Sequence, residues 1–347
     1  MPQNLVASLQ HTRTVDINLL LTRRCNHSCA HCMYSSGPNM PGDLLRWEDL
    51  QAIYTFLKTI SEHISPNISI NLIGGEPTLN MDHFGRVLDT VTDWKIQNRD
   101  YYTTLPEVET TTNGWWLENP ETTLQFAKKV WRHLDKLHIR ISNSNHHAPF
   151  RSPTLQKLCA ATSRRNHEHT FYPLADFLEE MLFEMEDEYG QAFALQYLME
   201  AAQTGKIHIE SQTGDPDKIS PVGRAKTNGI GCQDGACHPD PLQFTFMPTK
   251  EGERPGRIYD VCCNGGKIAL GHANEGMKLV FRRILFLQAL HNRYPRPEGY
   301  AINPLGGKRC WNCQSFGAAW LQNKHTEKTV ISAMDTLREN AENLCET

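Results

Sequence analysis

Four times in the first 145 residues an apolar, strand-like run ends abruptly in a short turn of unusual chemistry. Residues 15–21 place Val15, Ile17, Leu19 and Leu21 on one face and run through Thr22-Arg23-Arg24 into a cysteine loop. Residues 68–73 run into Gly74-Gly75-Glu76-Pro77, residues 108–112 into Asn113-Gly114, and residues 137–142 into Asn143. Between them lie segments with helical apolar spacing, such as Trp47, Leu50, Ile53, Tyr54, Leu57 and Ile60, and then Phe84, Val87, Leu88, Val91 and Trp94 with Asn80 as their cap. Strand and helix in alternation predict a parallel sheet with helices outside it, and ligands gather at the carboxyl ends of such strands. Cys25, Gly74, Asn113 and Ser142 all fall there.

The first of these turns carries Cys25-Asn26-His27-Ser28-Cys29-Ala30-His31-Cys32, three thiols within eight residues. Sulfurs this close make no ordinary disulfide framework and point to one metal centre. Two centres suit them. Zinc accepts three thiolates with His27 or His31 as a fourth ligand in a small structural knuckle. An iron–sulfur cluster held by three thiolates keeps one iron open for another ligand.

The spacing CxxxCxxC, taken together with Gly74-Gly75-Glu76-Pro77, resembles radical S-adenosylmethionine (radical SAM) enzymes. The resemblance implies a [4Fe-4S] cluster on Cys25, Cys29 and Cys32 whose open iron chelates SAM. It further implies reductive cleavage of SAM to a 5′-deoxyadenosyl radical, and a partial (β/α)6 TIM-like barrel ending near Ala225. Carried over position by position, Gly74, Gly75 and Glu76 meet the SAM amino group, and Ser142 and Asn143 lie near its carboxylate or ribose. Asn113, closing the third strand, joins the SAM-binding set, and Arg224, after a sixth strand in residues 221–225, either faces the SAM carboxylate or closes a surface ion pair. His31 stands where the family usually carries an aromatic side chain near adenine. The barrel is expected over residues 1–225, with an insertion at about 144–205 that carries a run of glutamates and the packing thiol Cys159.

Beyond the barrel, residues 226–347 hold Cys232, Cys237, Cys262, Cys263, Cys310 and Cys313 around a strand pair at 242–247 and 257–261. A fully ligated cubane needs four cysteines, so six supply one cluster and not two. Four thiolates drawn from the same six also suit a structural zinc ribbon. The order of cysteine, hairpin, cysteine, helix and a final cysteine pair resembles the SPASM/Twitch extensions of radical SAM enzymes. It implies a small α+β domain with one auxiliary [4Fe-4S] cluster on Cys237, Cys262, Cys310 and Cys313. Cys232 and Cys263 are alternates, and a leftover thiol there is a candidate hydrogen donor. Residues 277–290 supply the helix, residues 327–344 a terminal helix, and Cys345 stays unligated.

With 39% hydrophobic and 9% aromatic residues in 347, the chain can bury real cores in about two domains. A net charge of −4 gives no basic surface for nucleic acid. No signal peptide or membrane-length apolar run is present in the sequence, and eleven cysteines in close groups suit a reducing, cytoplasmic setting.

The function expected from the resemblance is hydrogen-atom abstraction from a substrate, most often a ribosomally synthesised peptide that is crosslinked, epimerised or oxidised. The alternative substrate is a small molecule such as an aminosugar. An electron donor such as flavodoxin or ferredoxin is implied. The fourteen residues before Val15 are too few for a leader-binding domain, which needs at least roughly forty. A separate leader-peptide-binding protein or the insertion would then serve. A non-catalytic, zinc-binding interaction protein is the reading from another class.

Overall fold

The computed structural model describes residues 14–32, 34–63, 67–97, 108–163, 172–189, 193–211, 243–259, 269–275 and 280. Strand β1 (Thr14–Leu20) is buried from Val15 to Leu20 on both faces apart from Asp16, as a central strand of a helix-covered parallel sheet should be. Helix α1 (Trp47–His63) turns Leu50, Ile53, Phe56, Leu57 and Ile60 onto that sheet. Each such side chain contributes roughly 1.5–3 kcal/mol by leaving water. Trp47, expected in this stripe, is 58% exposed, because it is the first residue of the helix and precedes its contact with the sheet.

Strand β2 (Asn67–Ile73) follows, then a 3-10 turn (Pro77–Leu79) and helix α2 (Met81–Gln97). Asn80 caps that helix as expected, its Oδ1 accepting from the His83 N–H at 3.0 Å. Strand β3 (Val108–Thr112) leads through Gly114, at φ 81°, into helix α3 (Pro120–Val130), where Asn119 caps the amino end and Pro120 opens it. The helix is followed by a 3-10 turn at Trp131–His133. Strand β4 (Leu137–Asn143) then delivers Ser142 and Asn143 to the same edge of the sheet as Cys25, Gly74 and Asn113.

The long connection from β4 to strand β5 (Ile207–Ser211) holds three helices: α4 (Pro153–Ser163), α5 (Tyr172–Tyr189) and α6 (Phe193–Gln203). The last of them packs on α3 and on β5, with Trp131 meeting Phe193 at 5.3 Å and Tyr197 at 5.8 Å. It is therefore the crossover helix of a β/α unit.

Strands β6 (Gln243–Phe246), β7 (Arg257–Tyr259) and β8 (Ala269–His272) complete one sheet in the order β5-β4-β3-β2-β1-β6-β7-β8. Pairing is parallel from β5 through to β6 and antiparallel over β7 and β8. The architecture is the expected α/β one, a partial TIM-like arrangement of parallel strands and outer helices. The hairpin strands expected near 242–247 and 257–261 continue this sheet, with β6 beside β1 in parallel. The reason is visible in the packing: Phe244 and Phe246 stand edge-on to Phe56 of α1, at 5.2 and 5.8 Å, so the hairpin shares the helix layer that covers β1. The strand at 221–225 and the helix at 327–344 lie outside the described residues, and of the helix at 277–290 only the buried, helical Val280 is described. No described helix is long and apolar enough to cross a membrane.

Candidate functional site

The cysteine loop leaves β1 and is held against the glycine turn after β2 by backbone alone. Gly75 N–H donates to the Thr22 carbonyl at 2.7 Å, and Glu76 N–H to the Arg24 carbonyl at 3.0 Å. A Cβ on Gly75 would stand 2.3 Å from the Arg24 carbonyl oxygen, so only glycine lets the two turns approach this closely.

Glu76, which the family motif places toward SAM, is fully buried. One carboxylate oxygen accepts from Thr78 N–H (3.2 Å), Thr78 Oγ1 (2.6 Å) and Thr112 Oγ1 (2.8 Å), and the other from Asn113 N–H (2.7 Å). Burial pushes this carboxyl up from its ordinary value, and the hydrogen bonds from Asn113, Thr78 and Thr112 oppose the shift. Glu76 thus ties the end of β3 to the turn after β2. Asn113, held in this way, donates from Nδ2 to Asn26 Oδ1 at 2.7 Å, with Cys25 Sγ at 3.8 Å, and so reaches the cysteine loop itself.

Cys25 and Cys29 are buried and Cys32 is half-buried. Two backbone N–H groups aim at sulfur: His27 N–H at Cys25 Sγ and Ser36 N–H at Cys32 Sγ, each at 3.3 Å. Burial, with the nearby Glu76 second, pushes the Cys25 thiol up to about 12. A thiol in this position gives up its proton only when a cation replaces it, and N–H donors to sulfur then stabilise the thiolate. The residues therefore fit a metal-bound role. A cubane takes each thiolate on a different iron, and the three cysteines present are a donor set that fits such a cluster.

The other wall of the site comes from the segment after β4. Imidazoles from the two loops interleave: His31 stacks on His146 at 4.7 Å and meets His147 edge-on at 4.9 Å, while His27 stacks on Phe150 at 5.3 Å. Burial first, and the neighbouring His31 and Arg151 next, push His147 down to about 3, and burial with Arg151 pushes His27 down to about 4. Both rings are neutral near pH 7. Ser142 is buried at the strand end, and Asn143 Oδ1 accepts from Arg151 Nη1 at 2.8 Å. Arg151 also donates from Nη2 to the Ser142 carbonyl at 2.6 Å.

Arg151 is the residue that sequence reasoning missed. Its side chain is buried, its Nε has no hydrogen-bond partner, and no carboxylate lies within ion-pair distance of it among the described residues. Burial lowers the pKa of this guanidinium, the nearby Cys159 and Cys29 thiols oppose the shift, and its unused Nε–H edge suits an anionic ligand. Nothing in the local sequence announces it, since the run Asn143-Ser144-Asn145-His146-His147 reads as a solvated loop. Cys159 is a core residue of α4, as expected. Arg224 and the cysteines 232, 237, 262, 263, 310, 313 and 345 lie outside the described residues.

No family model matches the chain, and no curated protein matches it. Among solved structures the chain is similar to BtrN in complex with AdoMet and 2-DOIA, at 8% identity over 81% of this chain and 90% of that one, with a TM-score of 0.45. It is similar to native anSMEcpe with bound AdoMet at 14% identity, over 94% of this chain and 99% of that one, with a TM-score of 0.40. It is also similar to Streptococcus suis SuiB bound to S-adenosylmethionine at 11% identity, over 80% of this chain and 68% of that one, with a TM-score of 0.39. At these identities and TM-scores the functional reading rests on the residues of this chain.

Proposed function

We propose that this chain is a radical SAM enzyme that abstracts a hydrogen atom from a ribosomally synthesised peptide. The observation that carries the reading is the backbone clamp between the CxxxCxxC loop and Gly74-Gly75-Glu76, which brings the two halves of the resemblance to one sheet edge. In this reading Cys25, Cys29 and Cys32 hold the [4Fe-4S] cluster, whose chemistry when bound is the one-electron reduction that cleaves SAM to a 5′-deoxyadenosyl radical. The backbone of Gly74 and Gly75 approaches the SAM amino group. Ser142 and the Arg151 guanidinium hold its carboxylate, and Asn143 and Asn113 orient the two loops. The ring of His31, stacked on His146, offers an aromatic face for adenine. The phenyl ring of Phe150 stacks on His27 along the same wall.

Cys237, Cys262, Cys310 and Cys313 would hold the auxiliary cluster, with Cys232 and Cys263 as alternates. A flavodoxin or ferredoxin would supply the electron. The peptide assignment rests on the pairing of a barrel with a SPASM/Twitch-like extension, an arrangement most often found in peptide-modifying enzymes.

The test is product formation. Anaerobically reconstituted protein, dithionite and SAM should yield 5′-deoxyadenosine, and Cys29→Ala should yield none; persistent cleavage by that variant would refute the cluster assignment. Peptides encoded beside the gene should change mass in step with 5′-deoxyadenosine. Turnover of an aminosugar with every peptide unchanged would replace the peptide reading.

A further inference from the structure

On the outer side of the clamp lies a cleft of about 870 Å³, bounded by the end of β1, the segment at Gly42 and Leu44, the start of α2, Trp115, and one face of α3. Its apolar wall is Leu44, Leu79, Met81 and Trp115. Its charged side chains are Arg24, Lys128 and Lys129 against the single carboxylate of Asp82, and Lys129 pairs with Asp82 at 2.6 Å. Arg24 and Lys128 form no ion pair with the described residues and are exposed.

We infer that this cleft is a docking site for an acidic, partly apolar peptide segment outside the reaction centre. A concave volume of this size with an apolar wall suits an inserted chain segment, and the exposed charges of Arg24 and Lys128 beside that wall complement carboxylates. A phosphate ligand fits less well. In the first turn of α2 the His83 N–H is taken by Asn80 Oδ1 and the Phe84 N–H by the Asn80 carbonyl, and Asp82 adds a negative charge.

The cleft also backs onto the site. The Thr22 and Arg24 carbonyls hold Gly75 and Glu76, and the Trp115 Nε1–H donates at 2.8 Å to Thr78 Oγ1, which in turn donates to Glu76. A segment bound here touches the residues that set the position of the cysteine loop. The inference gives the peptide reading an anchoring surface and rests on that reading for its biological occupant. Binding itself is measurable without turnover.

The experiment is fluorescence anisotropy on the reconstituted protein with SAM, using a labelled synthetic peptide of alternating glutamate and leucine and its glutamine counterpart. The glutamate peptide should bind about ten-fold more tightly at low salt, and the advantage should shrink as salt rises. Lys128→Glu should weaken the glutamate peptide about ten-fold and leave the glutamine peptide and substrate-free 5′-deoxyadenosine formation unchanged. Lys128→Gln, a milder change on the same exposed position, should fall between. Equal affinity of the two peptides, wild-type binding by Lys128→Glu, or displacement of the peptide by inorganic phosphate or ADP at equal concentration would overturn the inference. A protein that cleaves SAM but does not distinguish the peptides loses the cleft and keeps the enzyme. One that distinguishes them without cleaving SAM keeps the cleft and loses the enzyme.

Discussion

Two seams in this molecule are built on the same plan, a fully buried carboxylate beside a glycine that nothing else can replace. At the site, Glu76 gathers donors from Thr78, Thr112 and Asn113, and Gly75 lets the cysteine loop approach. At the hairpin, Asp49 of α1 accepts from Thr249 Oγ1 at 2.7 Å, from Gly256 N–H at 2.9 Å and from Arg46 N–H at 3.1 Å. Gly256 there adopts φ +67°, and a Cβ on it would stand 2.8 Å from Ala52 Cβ. The difference lies in charge and reach. Asp49 has Arg46 beside it at 3.7 Å and bridges 200 residues of sequence to Thr249; Glu76 has no cation among its hydrogen-bond partners and bridges 37 to Asn113. The long seam holds the hairpin to the barrel, and the short one shapes the rim where chemistry is proposed.

The comparison breaks most sharply at the long seam. Asp49→Ala leaves the half-buried Arg46, the Thr249 hydroxyl and three N–H groups without their carboxylate, and should cost about 3–5 kcal/mol in urea unfolding of the apoprotein. SAM affinity of the molecules that remain folded should not change. Glu76→Gln should do the reverse. An amide nitrogen would face the Asn113 N–H, costing about 2–3 kcal/mol and weakening SAM binding in isothermal titration as the rim shifts.

The pH dependence of the two proteins sharpens this contrast. The Glu76 carboxyl is raised by burial, so its contribution to stability is full below its unfolded value and is lost as pH rises through the higher folded value. The glutamine variant should lack that slope. Gly256→Ala, strained by its positive φ and by Ala52, should cost about 1–3 kcal/mol with no effect on SAM. Near neutral pH the smallest effect expected is at His147, whose folded value of about 3 lies below its unfolded value of 6.5. Its contribution is present above pH 6.5 and is lost as pH falls toward the folded value, and His147→Gln should flatten that part of the curve.

What could be read in the sequence follows from the reach of each interaction. Strands β1 to β4 and the helices after β1 and β2 were legible because period-two and helical spacings are local, and the cysteine and glycine turns were legible as motifs at strand ends; α4 and the crossover helix α6 were not read within the insertion. Asn113 and Ser142 fell at the right edge by the same logic. The role of Glu76 changed on folding: the motif places it toward the ligand, whereas its carboxylate faces Thr112 and Asn113 and organises the rim from beneath. Arg151 and the stacking of His31 on His146 depend on how the loop after β4 folds back, which no spacing encodes. The place of β6 beside β1 depends on Phe244 and Phe246 meeting Phe56 nearly 190 residues away, a contact without a local signature.

The central claim is that Cys25, Cys29 and Cys32 hold a cluster with one iron open to SAM. Electron paramagnetic resonance of the dithionite-reduced protein tests it most directly, with cysteines 237, 262, 310 and 313 replaced by alanine so that only this centre contributes. A [4Fe-4S]⁺ signal should appear, shift when SAM is added and vanish in Cys29→Ala. A colourless protein without iron, or a signal indifferent to SAM, would contradict it.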